Sequence, residues 1–162
     1  YINVYTDGSS INNHKSQELR GAGMGIVFDF ETPVELSLQF SCGEKSNNRA
    51  ELCAIINAIQ IANEKETYDP RYSGLLNIFT DSKYSMTCAT NMKKWEKNDW
   101  NGSNGKPVKN IDLLIILQEL LEKRKVFFKH IRAHTDGTDK DSRYNARADA
   151  LAVAAAKLNI GK

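Results

Sequence analysis

Long apolar runs are missing from this 162-residue chain, and none approaches the ~18 residues of a membrane span. Its first residues also lack the basic-then-apolar pattern of a secretory signal, so no membrane partner is expected. A strong charge of either sign is missing too, and a net +2 by itself decides nothing about partners. Cysteine is scarce: Cys42, Cys53 and Cys88 are an odd number with no C-x-x-C spacing, which leads to an expectation of free thiols in a reducing intracellular compartment. An initiating methionine is absent, and Tyr1-Ile2 already belongs to a strand-like segment, so residues 1–162 are expected to be a single domain cut from a longer protein, acting as a monomer. What remains is 41% hydrophobic and 26% charged, ordinary for a globular domain large enough to bury a core.

Residues 2–6 (INVYT) alternate and are rich in β-formers, and Asp7-Gly8 reads as the turn that ends them. GAGMGIVFDF (21–30) and VELSLQF (34–40) read as two more strands around a Glu31-Thr32-Pro33 turn, which makes an antiparallel meander. Leu52, Ile55, Ile56 and Ile59 share a face at helical spacing and predict a helix over 48–63. LLNIFT (75–80) is a short apolar strand, followed by helix, a tryptophan-bearing basic segment and a helix over 111–123. KVFFKHI (125–131) is a last strand, and a helix starting near Ser142 closes the chain. The order β-β-β-α-β-α-α-β-α predicts an α/β fold with a five-stranded mixed sheet, a three-stranded antiparallel meander plus parallel strands, and helices packed on it.

Two stretches carry concentrated charge. HTDGTDKDSRYNARAD (134–149) resembles a calcium loop at first sight, but Thr138 and Arg147 stand where an EF-hand needs acids, so Asp136, Asp139 and Asp141 are expected to form a solvated loop. Asp149 differs, because it interrupts an alanine-rich helical run where aspartate is a poor helix former. Between residues 93 and 109, Lys93, Lys94, Lys97, Lys106 and Lys109 outnumber Glu96 and Asp99 by three, with the chain's only tryptophans, Trp95 and Trp100, interleaved. Such a segment fits contact with a phosphate backbone, or equally a solvated helix pinned by two aromatics.

Asp7 ends the first strand, Asp81 ends LLNIFT, and Glu51 lies near the start of the first helix on the face of Ile55 and Ala58. Singly these are a turn residue, a helix cap and a capping-box partner. Four acids directed at one sheet, Asp149 included, would repel one another unless a cation neutralised them. With neither thiolates nor paired histidines beside them, the ion is a hard one, magnesium or manganese. Next to a basic flank, this points to phosphoryl transfer on nucleic acid.

YTDGSS (5–10), NNRAEL (47–52), FTDSKY (79–84), WEKNDWNGSNGKPVKN (95–110) and a late histidine followed by NARAD (145–149) resemble the type 1 ribonucleases H, in that order and across nearly the whole chain. The resemblance implies a ribonuclease H-like fold with helices on both faces of the sheet. It also implies an endonuclease that hydrolyses the RNA strand of RNA/DNA hybrids with two Mg2+ ions (Mn2+ as the alternative), leaving 3′-hydroxyl and 5′-phosphate ends. Asp7, Glu51, Asp81 and Asp149 match the family's metal-binding carboxylates, and His134 matches a histidine thought to move protons or assist product release. Asn13, Asn47 and Asn48 match RNA-strand contacts. Ser46, Ser103 and Asn110 match DNA-strand contacts, Lys93, Lys94, Trp95, Lys97, Trp100, Lys106 and Lys109 the basic protrusion, and Asn145 opens the last nucleic-acid-binding motif.

Little sequence preference is implied, since phosphate and sugar contacts do not read bases. Lys45 stands where some relatives place an arginine for a DNA phosphate. The alternatives are the ribonuclease H domain of a retroelement reverse transcriptase, with the same chemistry, and a non-enzymatic hybrid-binding module, which predicts loss of one of the four acids; none is lost. Ser9 stands where proofreading-type exonucleases place a glutamate, and Asp149 where transposases end on glutamate.

Overall fold

The computed structural model describes residues 1–132 and 138–162. Its five strands, β1 (Ile2–Ile11), β2 (Gly21–Phe28), β3 (Val34–Gln39), β4 (Leu76–Thr80) and β5 (Val126–His130), line up in the order β3-β2-β1-β4-β5. β1, β2 and β3 pair antiparallel, while β4 and β5 continue the sheet in parallel beyond β1. The helices are α1 (Asn47–Lys65), α2 (Lys83–Lys97), α3 (Ile111–Lys123) and α4 (Lys140–Leu158). The expected mixed sheet is therefore present. The largest boundary difference is at β1, which runs on to Ile11, so Asp7-Gly8 is mid-strand and not a turn.

The glycine after Asp7 answers a packing demand. A Cβ at Gly8 would lie 2.2 Å from the backbone of Ala50, so only glycine lets α1 come this close to β1. On the opposite face the same device is repeated along β2. Cβ atoms at Gly21, Gly23 and Gly25 would lie 2.2, 2.4 and 1.9 Å from the carbonyl oxygens of Ala156, Ala152 and Ala148. Two strand residues advance about 6.7 Å and four helical residues about 6 Å, so an every-second glycine row meets an every-fourth alanine row in step.

Burial follows from these two contacts. Val4, Phe28, Leu52, Ile55, Ile78 and Leu114 belong to the main core under α1 and α3. Under α4 lies a smaller cluster of Tyr5, Val27, Phe79, Ile131 and Ala148, with Tyr5 stacked on Phe79 at 4.5 Å between ring centroids. Asp7 pairs with Gly25, so it shares Tyr5's face of β1, the one α4 covers. No described helix is long and apolar enough to cross a membrane.

The cysteine expectation is corrected. Cys42 and Cys53 are joined in a disulfide across a Cα–Cα distance of 7.1 Å, and only Cys88 is free, and buried. Cys42 lies just past β3 and Cys53 on α1; they meet because the loop between them folds back on the helix, which a spacing of 11 residues does not announce. The thiol count therefore no longer argues for a reducing compartment.

If α4 lies at backbone distance from β2, Gly25→Ala should lower stability by about 2–3 kcal/mol through overpacking. Urea unfolding measures this; a variant as stable as the parent would show that the helix has room to spare.

Candidate active site

β1 and β4 are parallel neighbours whose pairing ends at Tyr5 and Phe79. The same offset of 74 residues places Asp7 beside Asp81, just past the carboxyl ends of that pairing. An open sheet presents ligand sites at such ends, where the chain leaves on both sides of a central strand. Asp81 does not cap α2, because the Ser82 hydroxyl accepts the Ser85 amide. Nor does Glu51 close a capping box: Ser46 is the cap, and its hydroxyl accepts the Arg49 amide.

Beyond Tyr5 the β4-facing flank of β1 has no strand partner, and α1 supplies one. Glu51 Oε1 accepts the Gly8 amide at 2.9 Å, and Asn47 Oδ1 accepts the Ser10 amide at 3.0 Å. Residues four apart on the helix thus serve amides two apart on the strand. Glu51 Oε2 is left buried without a hydrogen-bond partner. Ligand oxygens of Asp7, Glu51 and Asp81 all lie within 4.8 Å of one another.

Asp149, the fourth expected acid, lies outside that tight trio, but from α4 its carboxyl is close enough to Asp7 to help hold that group's pKa up. Burial raises both Asp7 and Glu51 well above the usual carboxylate range. For Asp7, the bond to Glu51 and the charges of Glu51 and Asp81 push further the same way. For Glu51, the bonds from Asp7 and the Gly8 amide work against burial, and Asp81 works with it. An all-oxygen donor set, crowded and with one oxygen unpartnered, fits a hard divalent cation. His134 lies outside the described residues.

The expected nucleic-acid contacts divide. Asn13, Asn47 and Asn48 are exposed near the acids' end of β1, and Asn13 Oδ1 and the Lys45 carbonyl both accept from the Ser10 hydroxyl. Lys93, Lys94 and Lys97 are exposed on α2. Ser103, Lys106 and Lys109 line a groove with Tyr84 and Trp95. Trp95 and Trp100 are partly buried against the main core, so they pin the segment to it. Ser46 and Asn110 are engaged internally: Asn110, at φ 63°, accepts from Arg49 and donates to the Tyr84 hydroxyl. Asn145 is buried, with its Oδ1 unpartnered.

Lys45 is a correction. Its ammonium is buried and donates to the carbonyls of Arg20 and Asn159, at 3.1 Å each, so it ties the end of α4 to the loop before α1 and is not a phosphate ligand. Of the three acids expected in a solvated loop, Asp139 is exposed just before α4, Asp136 lies outside the described residues, and Asp141 is a correction: it lies in the first turn of α4, bonded to Tyr5.

Arg49 was missed altogether. Its guanidinium donates to the Cys42 carbonyl, to Asn110 Oδ1 and to both oxygens of Asp112, whose carboxyl it holds below the usual range. It joins the asparagine-bearing start of α1 to the hinge of the basic segment. Its place inside the NNRAEL motif was the available signal.

Comparison with known proteins agrees with this geometry. The RNase H family model matches residues 1–157. Ribonuclease H of Schizosaccharomyces pombe is 39% identical over 150 residues, 92% of this chain and 50% of that protein, so the chain spans half the length of that relative. Ribonuclease HI of Haemophilus influenzae is 32% identical over 134 residues, covering 82% of this chain and 78% of its own.

Among solved structures, the PFV RNase H domain superposes with a TM-score of 0.78 at 25% identity, over 97% of this chain and 94% of that one. The foamy viral protease-reverse transcriptase in complex with an RNA/DNA hybrid gives 0.74 at 25% identity, over 97% of this chain and 20% of that one. With a family match over nearly its full length and three of the four expected acids gathered at one strand end, the chain belongs to the ribonuclease H family.

Proposed function

We propose that this chain is an endonuclease that hydrolyses the RNA strand of RNA/DNA hybrids using two divalent ions, magnesium in first place and manganese as the alternative. It leaves 3′-hydroxyl and 5′-phosphate ends and has little sequence preference. The observation that carries this reading is the trio Asp7, Glu51 and Asp81, within 4.8 Å of one another, with Asp149 beside Asp7. The family membership and the hybrid complex of the foamy viral protein support it.

Asp7, Glu51, Asp81 and Asp149 would hold the ions. The chemistry such ions would supply there is activation of a water for attack on the scissile phosphate and offsetting of charge on the departing 3′ oxygen. The chain's part is to keep its carboxylates assembled. Glu51 is fixed to β1 through the Gly8 amide, so its second oxygen remains for the ion.

Selectivity rests on groups that sense the 2′-hydroxyl, which both donates and accepts. Because Asn47 Oδ1 accepts from the Ser10 amide, the orientation of its side chain is fixed and its Nδ2 remains as a donor toward RNA. Exposed lysines on α2 and along the Ser103 groove supply charge for the phosphate backbone. We place His134 among the proton-moving or product-release groups on resemblance alone.

Cleavage of labelled RNA/DNA hybrid should need Mg2+ and be abolished by EDTA, with double-stranded and single-stranded RNA left intact. Asp81→Asn should lose more than the ~100-fold that follows removal of a merely supporting group around a metal. Hybrid cleavage persisting in EDTA would sink the metal reading.

The buried acids also predict how stability depends on pH. Without metal, Asp7 and Glu51 have folded-state pKa values raised above those of the unfolded chain. Their contribution to stability is complete below about pH 4, the ordinary carboxylate pKa, and is lost as pH rises through the raised values. In EDTA, the protein should therefore lose stability between pH 5.5 and 8. Asp7→Asn, inactive, should flatten that slope and add about 1–3 kcal/mol at pH 8. Thermal or urea unfolding reads both; an Asp7→Asn protein less stable than its parent at pH 8 would count against a repulsive cluster.

A further inference from the structure

The first turns of α4 project beyond the glycine row of β2. Close backbone contact starts at Ala148, while the helix starts at Lys140. Of the ties that hold this overhang, Lys140–Asp29 and Arg147–Glu35 have their cationic partners half in solvent, and such pairs contribute little. The tie to Tyr5 is of another kind. The hydroxyl of Tyr5, itself 1% exposed, donates to Asp141 Oδ1 at 2.5 Å, a charge-assisted bond in partly buried surroundings. Tyr5 is held in turn by its stack on Phe79 and an edge contact to Tyr144.

Asp141 and Asp149 are eight residues apart on α4, on one face, with buried Asn145 midway. Tyr5 and Asp7 are two apart on one face of β1. At one end of these pairs Tyr5 bonds to Asp141, and at the other the Asp149 carboxyl lies beside that of Asp7. The helix is thus fastened to the central strand through Tyr5 and Asp141, and beyond that bond two of the proposed metal-binding acids, Asp7 and Asp149, lie side by side.

We propose that Tyr5 and Asp141 are a positioning pair: they fix the start of α4 against β1 and so set the Asp149 carboxylate relative to Asp7 for metal binding. This rests on the ribonuclease H reading of the four acids and extends it to two residues that touch neither ion nor substrate. Asp141 belongs to this pair by its chemistry, since a first-turn carboxylate already favoured at a helix N-terminus is also the acceptor for the one hydroxyl that reaches it from β1.

The test uses Tyr5→Phe, Asp141→Asn and the double variant of the whole chain. Tyr5→Phe removes only the hydroxyl and keeps the ring on Phe79, so folding is retained. Mg2+ affinity is measured by calorimetry on the free protein, without nucleic acid, and kcat and KM are measured on hybrid. Each single variant should bind Mg2+ roughly tenfold more weakly and lose roughly tenfold in kcat, with KM within about twofold of the parent. The double variant should be no worse than either single one, because both remove the same bond.

Variants that melt earlier yet keep the parent's Mg2+ affinity and kcat would overturn the proposal and leave the bond merely structural. Losses that multiply in the double variant would overturn it too. If the parent itself fails to cleave hybrid, the ribonuclease reading falls, while the calorimetric comparison still decides whether the pair governs metal binding.

Discussion

Backbone-to-backbone contact between two helices and the β1–β2 ribbon is the constraint on which the rest of this molecule depends. On one face Gly8 admits α1, and on the other Gly21, Gly23 and Gly25 admit α4. Side chains between helix and sheet normally act as spacers. With them removed, the helices sit close enough that short polar groups, and not only long ones, reach the central strand. Glu51 and Asn47 can then act as stand-ins for a missing strand, accepting the Gly8 and Ser10 amides where β4 has ended.

The same closeness creates the electrostatic problem that defines the site. Asp7 is 4% and Glu51 8% exposed, so their charges are removed from water and set against each other and against Asp81. Isolated, this arrangement favours protonated acids; a cation reverses that preference. Folding and metal binding are therefore opposed in the metal-free chain and aligned in the loaded one, a tension carried by hydrophobic burial elsewhere in the core.

Much of this was legible before the structure, and the failures have physical causes. Residue pattern located the five strands and four α-helices of the described residues, because apolar spacing reflects which face is buried whatever the partner. The misreading of Asp7-Gly8 as a turn arose because a glycine needed for close approach has the same local signature as one needed for a turn; only the position of α1 tells them apart. Lys45 was read as a stand-in for a phosphate-binding arginine and Asp141 as a solvated loop charge, yet both are internal fasteners, and the partners that make them so, Arg20, Asn159 and Tyr5, are 25, 114 and 136 residues away. The Cys42–Cys53 pairing was invisible for the same reason, since it depends on how the loop after β3 folds back. Ordered motifs carried the four acids because they are local marks of a nonlocal site.

Arg49 gives the groove one further property. A single guanidinium grips the loop after β3, the start of α1 and the hinge at Asn110 and Asp112. The two banks of the surface, one proposed for RNA and one for DNA, therefore share a common gauge. Widening or narrowing the space between them cannot proceed on one side alone, because any shift of α3 against α1 must carry this fork with it. Loss of any one of Arg49, Asn110 or Asp112 therefore loosens both banks together, because the same fork serves each of them.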